Sequence, residues 1–302
     1  MAGGSKKVIY AALIGNGLIA IAKFVGSAIT GSAAMMSEGI HSVVDTGNQL
    51  LLLLGLKRAK KPADKEYPFG HGKEIYFWSF VVAISIFAVG SGISIYEGVH
   101  SLMDPHAVSS PHINYIILGL AICFEGGAWY FAYKEFRKVQ GDQGFLKAVR
   151  GSKDPTTYVV LFEDTAALLG LFVALLGIWL GQVTGILILD GIASIIIGVI
   201  LGLTATWLAY ETKGLLIGES AEPKIVDGIA QLTNNYEGIQ IVNETLTMHM
   251  GPEYILVNLS VDFDDTLNAD RIEKVTAKLT QDIKNKFPRV KRIFIEAEEP
   301  AN

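Results

Sequence analysis

The chain has 302 residues, half of them hydrophobic, with a formal net charge of −5 and a single cysteine, Cys123. With its positive mean hydropathy, it is too apolar for an ordinary soluble domain and fits a membrane protein carrying a soluble part. One cysteine excludes a disulfide framework and a cysteine metal cage. Mild acidity without a basic, aromatic-laced stripe argues against a nucleic-acid partner.

Six apolar stretches reach the length of about 20 residues that a bilayer crossing needs: 8–30, 33–56, 75–102, 113–133, 158–180 and 185–210. Met1-Ala2-Gly3-Gly4-Ser5-Lys6-Lys7 runs straight into the first, with no A-x-A-like cleavage site, as in a retained signal anchor. That span also carries Asn16 and Lys23. The second carries Glu38, His41 and Asp45 at i, i+3 and i+7, one face of a helix. Ionisable side chains inside a bilayer cost about 3 kcal/mol or more each and usually mark a transport pathway. A His and a carboxylate one turn apart also have the spacing of two ligands on one divalent metal. The bland alternative is a helix end, with Glu38 and His41 among headgroups.

The connection to the third span, Asp64-Lys65-Glu66-Tyr67-Pro68-Phe69-Gly70-His71-Gly72-Lys73, is compact and turn-rich. Asp64 and His71 are candidates for a second metal site, although two ligands alone make a poor one and a structural loop is favoured. Glu125, in the middle of the fourth span, is a pathway, proton or packing residue, with Asn16 and Lys23 as possible partners. The fifth span holds Glu163 and Asp164 among apolar residues. Neighbours on a helix point about 100° apart, so one is expected to bind metal while the other accepts a hydrogen bond or a proton. The competing reading pairs Glu163 with Lys23, since buried charges need partners. In the sixth span Asp190 is expected to cap a helix or bind a neighbouring one. Gly191, Ser194, Gly198 and Gly202 form a small-residue face for close packing.

The connections alternate in charge. Lys6 and Lys7 precede the first span. Lys57, Arg58, Lys60, Lys61, Lys65 and Lys73 follow the second, and Lys134, Arg137, Lys138, Lys147, Arg150 and Lys153 follow the fourth. The segments 30–32, 104–112 and 181–184 contain no Lys or Arg. The positive-inside rule therefore places both termini in the cytoplasm. Past residue 213 the pattern becomes a helix over 223–236, strands over 240–250 and 254–263 joined at Gly251-Pro252, a helix over 267–287 and a strand over 290–297. This α-β-β-α-β order implies a small α+β domain with helices on one side of a sheet. At roughly 90 residues it is of a size that often gains stability by pairing.

A His and carboxylates bind a cation only when deprotonated, so metal and protons compete for one site. A site that loads metal facing a near-neutral cytoplasm and releases it facing an acidic exterior performs antiport by alternating access. The donor set of His41, Asp45, Glu163 and Asp164 suits zinc and, less exclusively, iron, manganese, cobalt or nickel.

Several motifs taken together resemble the cation diffusion facilitators, the zinc-transporter family of divalent metal/proton antiporters, over essentially the whole chain. They are Gly31-Ser32-Ala33-Ala34, His41-x-x-x-Asp45, Phe69-Gly70-His71-Gly72-Lys73, Asp190-Gly191-Ile192-Ala193-Ser194 and Gly218-Glu219-Ser220-Ala221. The resemblance implies a homodimer with six spans per subunit in a Y-shaped arrangement and a metallochaperone-like cytoplasmic domain. His41 and Asp45 match the family's second-span ligand pair, and Asp164 the second ligand of the fifth-span pair. Val160 stands where the first of that pair is usually His or Asp, which leaves three ligands unless Glu163 substitutes. The string Leu161-Phe162-Glu163-Asp164-Thr165-Ala166-Ala167 looks like the branch of zinc transporter nine. Asp64 and His71 match a loop site in which Tyr67 replaces a frequent His. Asn243 and Asn258 stand where bacterial zinc exporters carry His, implying a tail that dimerises without a strong zinc cluster. Lys73 and Glu219 match a charge pair that locks the spans to the tail.

The expectation is a six-helix membrane domain (1–213) and a cytoplasmic α+β domain (214–302) that together export divalent metal, zinc first, against protons. The same carrier with iron, manganese, cobalt or nickel as cargo is one alternative, and a non-transporting metal-responsive membrane protein is another. An intramembrane hydrolase is disfavoured because His41 has no second His on its helix, so no enzyme is expected. Nor is a cofactor expected beyond the cargo cation and protons. Partners are the metal, protons, the bilayer and a second copy. The lack of a transit peptide favours a bacterial inner membrane.

Overall fold

The computed structural model describes residues 2–140, 144 and 153–299; Lys147 and Arg150, counted above among the basic connections, lie outside them. Six long helices come first: α1 (Ala2–Thr30), α2 (Ala33–Ala59), α3 (Glu74–Met103), α4 (Pro111–Gln140), α5 (Pro155–Thr184) and α6 (Leu189–Ile217). The third is interrupted by one π-helical segment, Ile86–Ser91. Four of them, α3 to α6, are long and apolar enough to cross a membrane. The described side chains of α1 cover only the shorter apolar part Gly15–Thr30. α2, which carries Glu38, His41, Asp45, Lys57 and Arg58, is not among the four. Outward-facing Leu120, Phe131, Val183 and Leu203 are exposed, as lipid-facing positions are in a bundle whose backbone polar groups are satisfied within the helices.

Local chemistry sets the helix ends. Gly31 takes φ +72°, a conformation glycine adopts without steric cost, and breaks α1 from α2. At the start of α5, Asp154 accepts from the Thr156 amide (3.0 Å) and Pro155 occupies the first turn. The cap of α2 comes from another helix. Asp190, at the start of α6, accepts from Ser32 Oγ (2.6 Å) and from the backbone amides of Ala33 and Ala34. The two roles expected for Asp190, capping and binding a neighbouring helix, are thus one contact. α6 also meets α3 almost backbone to backbone: a methyl on Gly198 would reach 3.0 Å from the Ser91 carbonyl oxygen, and Ser194 Oγ donates to the Ser94 carbonyl (2.7 Å).

The chain divides into two compact units, residues 1–56 with 77–212, and residues 57–76 with 213–302. The second contains α7 (Pro223–Asn234), β1 (Ile239–Gly251), β2 (Tyr254–Phe263), α8 (Ala269–Lys286) and β3 (Val290–Ala297). β2 is central, antiparallel to β1 and parallel to β3. Gly251 pairs with Tyr254, so the hairpin turn is Pro252-Glu253, one residue later than the expected Gly251-Pro252. Ile255, Val257, Leu259 and Val261, alternate residues of β2, are fully buried in a cluster with Ile229 of α7 and Leu279 and Ile283 of α8. Asn268 caps α8 by accepting from the Arg271 amide (3.0 Å).

Asp190→Ala removes a carboxylate acceptor from buried donors at the start of α2 and should cost about 2 kcal/mol. Thermal unfolding of the detergent-purified protein should show a lower Tm, and an unchanged Tm would rule out the cap as a stabilising contact.

Candidate metal-cation site

α2 carries its polar face inward. Glu38, His41, Ser42 and Asn48 are all buried, which excludes the headgroup placement considered above for Glu38 and His41. Glu38 is an ion-pair partner: Lys23 of α1 donates to its Oε2 (3.0 Å), to Ser42 Oγ (2.8 Å) and to Glu125 Oε1 on α4 (3.0 Å). Lys23 and Glu38 have no exposed side-chain surface. Of the partners weighed for Lys23, Glu125 is found and Glu163 is not. Glu163 Oε1 instead accepts from Asn48 Nδ2 (2.6 Å).

His41 Nδ1 stands 3.3 Å from Asp45 Oδ1 without hydrogen-bond alignment. Both ring nitrogens of His41 and this carboxylate oxygen are buried and make no hydrogen bond among the described residues. Native proteins pair nearly all such atoms. A cluster of potential ligands left this way suits a bound cation better than a packing role. Asp45, Glu125, Glu163, Asp164 and Val160 line one cavity of about 240 Å³, with Ser42, Asn16 and Gln49. Two contacts set the rotation of α5. Trp129 of α4 donates to Thr165 Oγ1 (2.9 Å), and Phe162 packs on Trp207 of α6 with ring centroids 4.2 Å apart. Between these contacts both Glu163 and Asp164 reach the cavity, Glu163 braced by Asn48. Among the described residues no three His, Cys, Asp or Glu side chains are drawn together as a closed metal cage. Of the candidate ligands, Asp45 of α2 and Glu163 and Asp164 of α5 line the cavity, and His41 of α2 does not.

The loop pair is brought together. His71 Nε2 lies 3.0 Å from Asp64 Oδ2, Asp64 Oδ1 accepts from the Glu66 and Tyr67 amides (3.0 and 2.7 Å), and Tyr67 lies against the His71 ring. The carboxylate therefore organises the turn. Lys73 Nζ points to the Leu216 carbonyl oxygen (3.4 Å) and Met248 Sδ (3.6 Å). The Glu219 carbonyl accepts from the His249 amide (3.1 Å), so the two members of the proposed charge pair border the same short stretch of β1. In the tail, Asn243 spends its amide on Ser260 Oγ (3.2 Å) and the Glu298 carbonyl (2.9 Å). Glu298 accepts from Ser260 Oγ (2.6 Å).

Residues 9–217 match the cation efflux transmembrane domain. The chain belongs to the cation diffusion facilitator family. It is 35% identical over 263 residues to the human protein named proton-coupled zinc antiporter SLC30A9, mitochondrial, covering 86% of this chain and 46% of that one. This likeness places it in the branch of zinc transporter nine. It is 28% identical over 276 residues to metal tolerance protein C4 of Arabidopsis thaliana (91% of this chain, 60% of that one). It is 23% identical over 292 residues to the manganese efflux system protein MneP of Bacillus subtilis (96% and 95%). The chain spans just under half the length of its SLC30A9 relatives. Membrane helices and family together make it an integral membrane protein.

Ser42, Asn48 and the triple contact of Lys23 were missed in the sequence. The available signal was Lys23 itself, a cation in an apolar run that demands acceptors from elsewhere in the chain.

The hydrogen bond from His71, followed by that from the Tyr67 amide, holds the Asp64 carboxyl below its usual range. A depressed carboxyl pKa contributes stability above the unfolded value of about 3.9, and this is lost as pH falls through the lower folded value. Carboxyl NMR titration should place Asp64 below that value, and His71→Ala should move it back up. A titration unchanged by His71→Ala would remove the loop pair.

Proposed function

We propose that this protein exports divalent metal cations, zinc before others, in exchange for protons, by alternating access of an intramembrane site built from His41, Asp45, Asp164 and Glu163. The observation that carries the reading is the cavity lined by Asp45 of α2 and Glu163 and Asp164 of α5, with His41, one turn before Asp45 and off the lining, and an oxygen of Asp45 buried and making no hydrogen bond among the described residues. Cation and protons compete for the same lone pairs, so a pH difference drives one against the other. The names of the human antiporter and the bacterial manganese exporter are consistent with this activity. Zinc is favoured by an imidazole nitrogen among oxygens. Manganese is the second reading, because Val160 offers no donor and leaves an oxygen-rich set that suits a harder cation.

On this reading the basic connections after α2 and α4 face the cytoplasm with both termini, and metal leaves that compartment. The tail unit pairs two copies, and Lys73 with Glu219 forms the hinge between transport and regulation. Asp64 and His71 then shape the loop and bind metal at most weakly.

Metal flux into proteoliposomes under an imposed pH gradient tests the assignment, with zinc, manganese, iron, cobalt and nickel compared. Zinc uptake should require the gradient and be lost in Asp45→Ala. Glu163→Ala should weaken apparent affinity about 10–100-fold, the usual loss when a ligand's support is removed. Binding without flux of any metal would replace transport by metal sensing, and gradient-driven manganese uptake exceeding zinc would establish the second reading.

Charge reversal tests the hinge. Lys73→Glu and Glu219→Lys should each impair flux, and together should restore it; failure of the double reversal to rescue would dissolve the pair.

A further inference from the structure

Lys23 stands behind the cavity and touches two of its walls. Its ammonium donates to Ser42 Oγ and Glu125 Oε1, both on the lining, and sends its third proton to Glu38 Oε2, off the lining. The second oxygen of Glu125, Oε2, is buried and makes no hydrogen bond among the described residues. It belongs to a side chain that shares the cavity with Asp45, Glu163 and Asp164. Glu125 is therefore a carboxylate with one oxygen on a fixed cation and the other uncommitted, beside the proposed cargo position.

We infer that Lys23 is a tethered competitor for the cargo cation: it holds Glu125 while the site is empty, and an arriving divalent cation takes Glu125 from it as an additional oxygen ligand from α4. The inference rests on the transport-site reading above and extends it to a third helix. Its physical basis is the asymmetry of the ammonium's seat. When Glu125 turns toward the metal, Lys23 keeps the Glu38 carboxylate and the Ser42 hydroxyl, so its charge is never left buried without a counter-ion. The Glu38 carboxylate is confined on its far side, because a methyl on Gly170 of α5 would collide with Glu38 Oε1. Glu38 Oε1 is likewise buried without a hydrogen bond among the described residues, but it lies against Gly170 and off the cavity, so Glu38 is the permanent partner and Glu125, on the lining, the exchangeable one. The same attraction that steadies the empty site opposes loading, which lets the bound cation leave again. A purely structural pin between α1, α2 and α4 would affect folding and leave metal affinity alone.

The test is equilibrium zinc binding to full-length protein in detergent, measured by competition with a fluorescent chelator. Glu125→Gln should weaken binding and Lys23→Met should tighten it, each by roughly 10-fold, the lower end of the range for groups that support a metal site. The double variant should behave as Glu125→Gln alone, because Lys23 acts through Glu125. Lys23→Met/Glu38→Gln removes one buried charge of each sign. It should also bind zinc more tightly, and it carries the test if Lys23→Met alone does not fold. Unchanged affinity in Glu125→Gln, or independent additive effects of the two positions, would overturn the inference. Affinity shifts as expected in a protein with no gradient-driven flux would remove the transport reading and leave the competition standing. Flux with unshifted affinities would do the reverse.

Discussion

A primary ammonium has three protons to place, and away from water each needs an acceptor held in position. Lys23 finds them on two other helices, Glu38 and Ser42 of α2 and Glu125 of α4, and it is itself fully buried. An isolated charge in that environment carries a desolvation penalty of several kcal/mol. The penalty is tolerable only when the partners arrive together, so the contact fixes the relative rotation of α1, α2 and α4. Glu38 carries the constraint to a fourth helix, since its outer oxygen fits only against a residue with no side chain, Gly170 of α5. One buried cation thus determines which faces of four helices look inward.

That constraint reaches the candidate ligands through the periodicity of α2. With Glu38 and Ser42 turned to Lys23, His41 and Asp45 follow along the same inward side. Asp190 fixes where α2 begins by accepting from its first amides, so its polar residues are set in depth as well as in rotation. α5 has contacts of its own, Trp129 on one side and Trp207 on the other, and meets α2 through Asn48 and Gly170. The two ligand-bearing helices therefore share two contacts and are otherwise held by different partners.

Much of this was legible in the sequence because it is local. The apolar lengths of the helices, the spacing of His41 and Asp45 and the alternation along β2 depend on residues within a turn or two of one another. The missed features are long-range pairings. Asn48 and Glu163 are 115 residues apart, and Ser32 and Asp190 158 apart; nothing in either segment names its partner. Sequence reasoning knew that Lys23 and Glu163 both needed partners and weighed joining them. The structure instead gives Glu163 an amide, Asn48, from the helix that also carries Asp45. Asn48 was overlooked because an uncharged polar residue in an apolar helix gives a far weaker signal than a charge.

The composition of the cavity bears on selectivity. Its carboxylates are Asp45, Glu125, Glu135, Glu163 and Asp164; His41, buried and off the lining, is the one imidazole among the candidate ligands, and Val160 stands a turn before Asp164. An oxygen-dominated set with a single imidazole separates zinc from manganese less sharply by ligand softness than a site with two His would. Affinity then follows the intrinsic order of the metals unless geometry intervenes, and zinc binds more tightly than manganese in that order. For a carrier, tight binding slows release. On the proposed reading, displacing a fixed ammonium from Glu125 costs every dication the same, so Lys23 eases the release of all of them, and discrimination between metals is left to the ligands and their geometry.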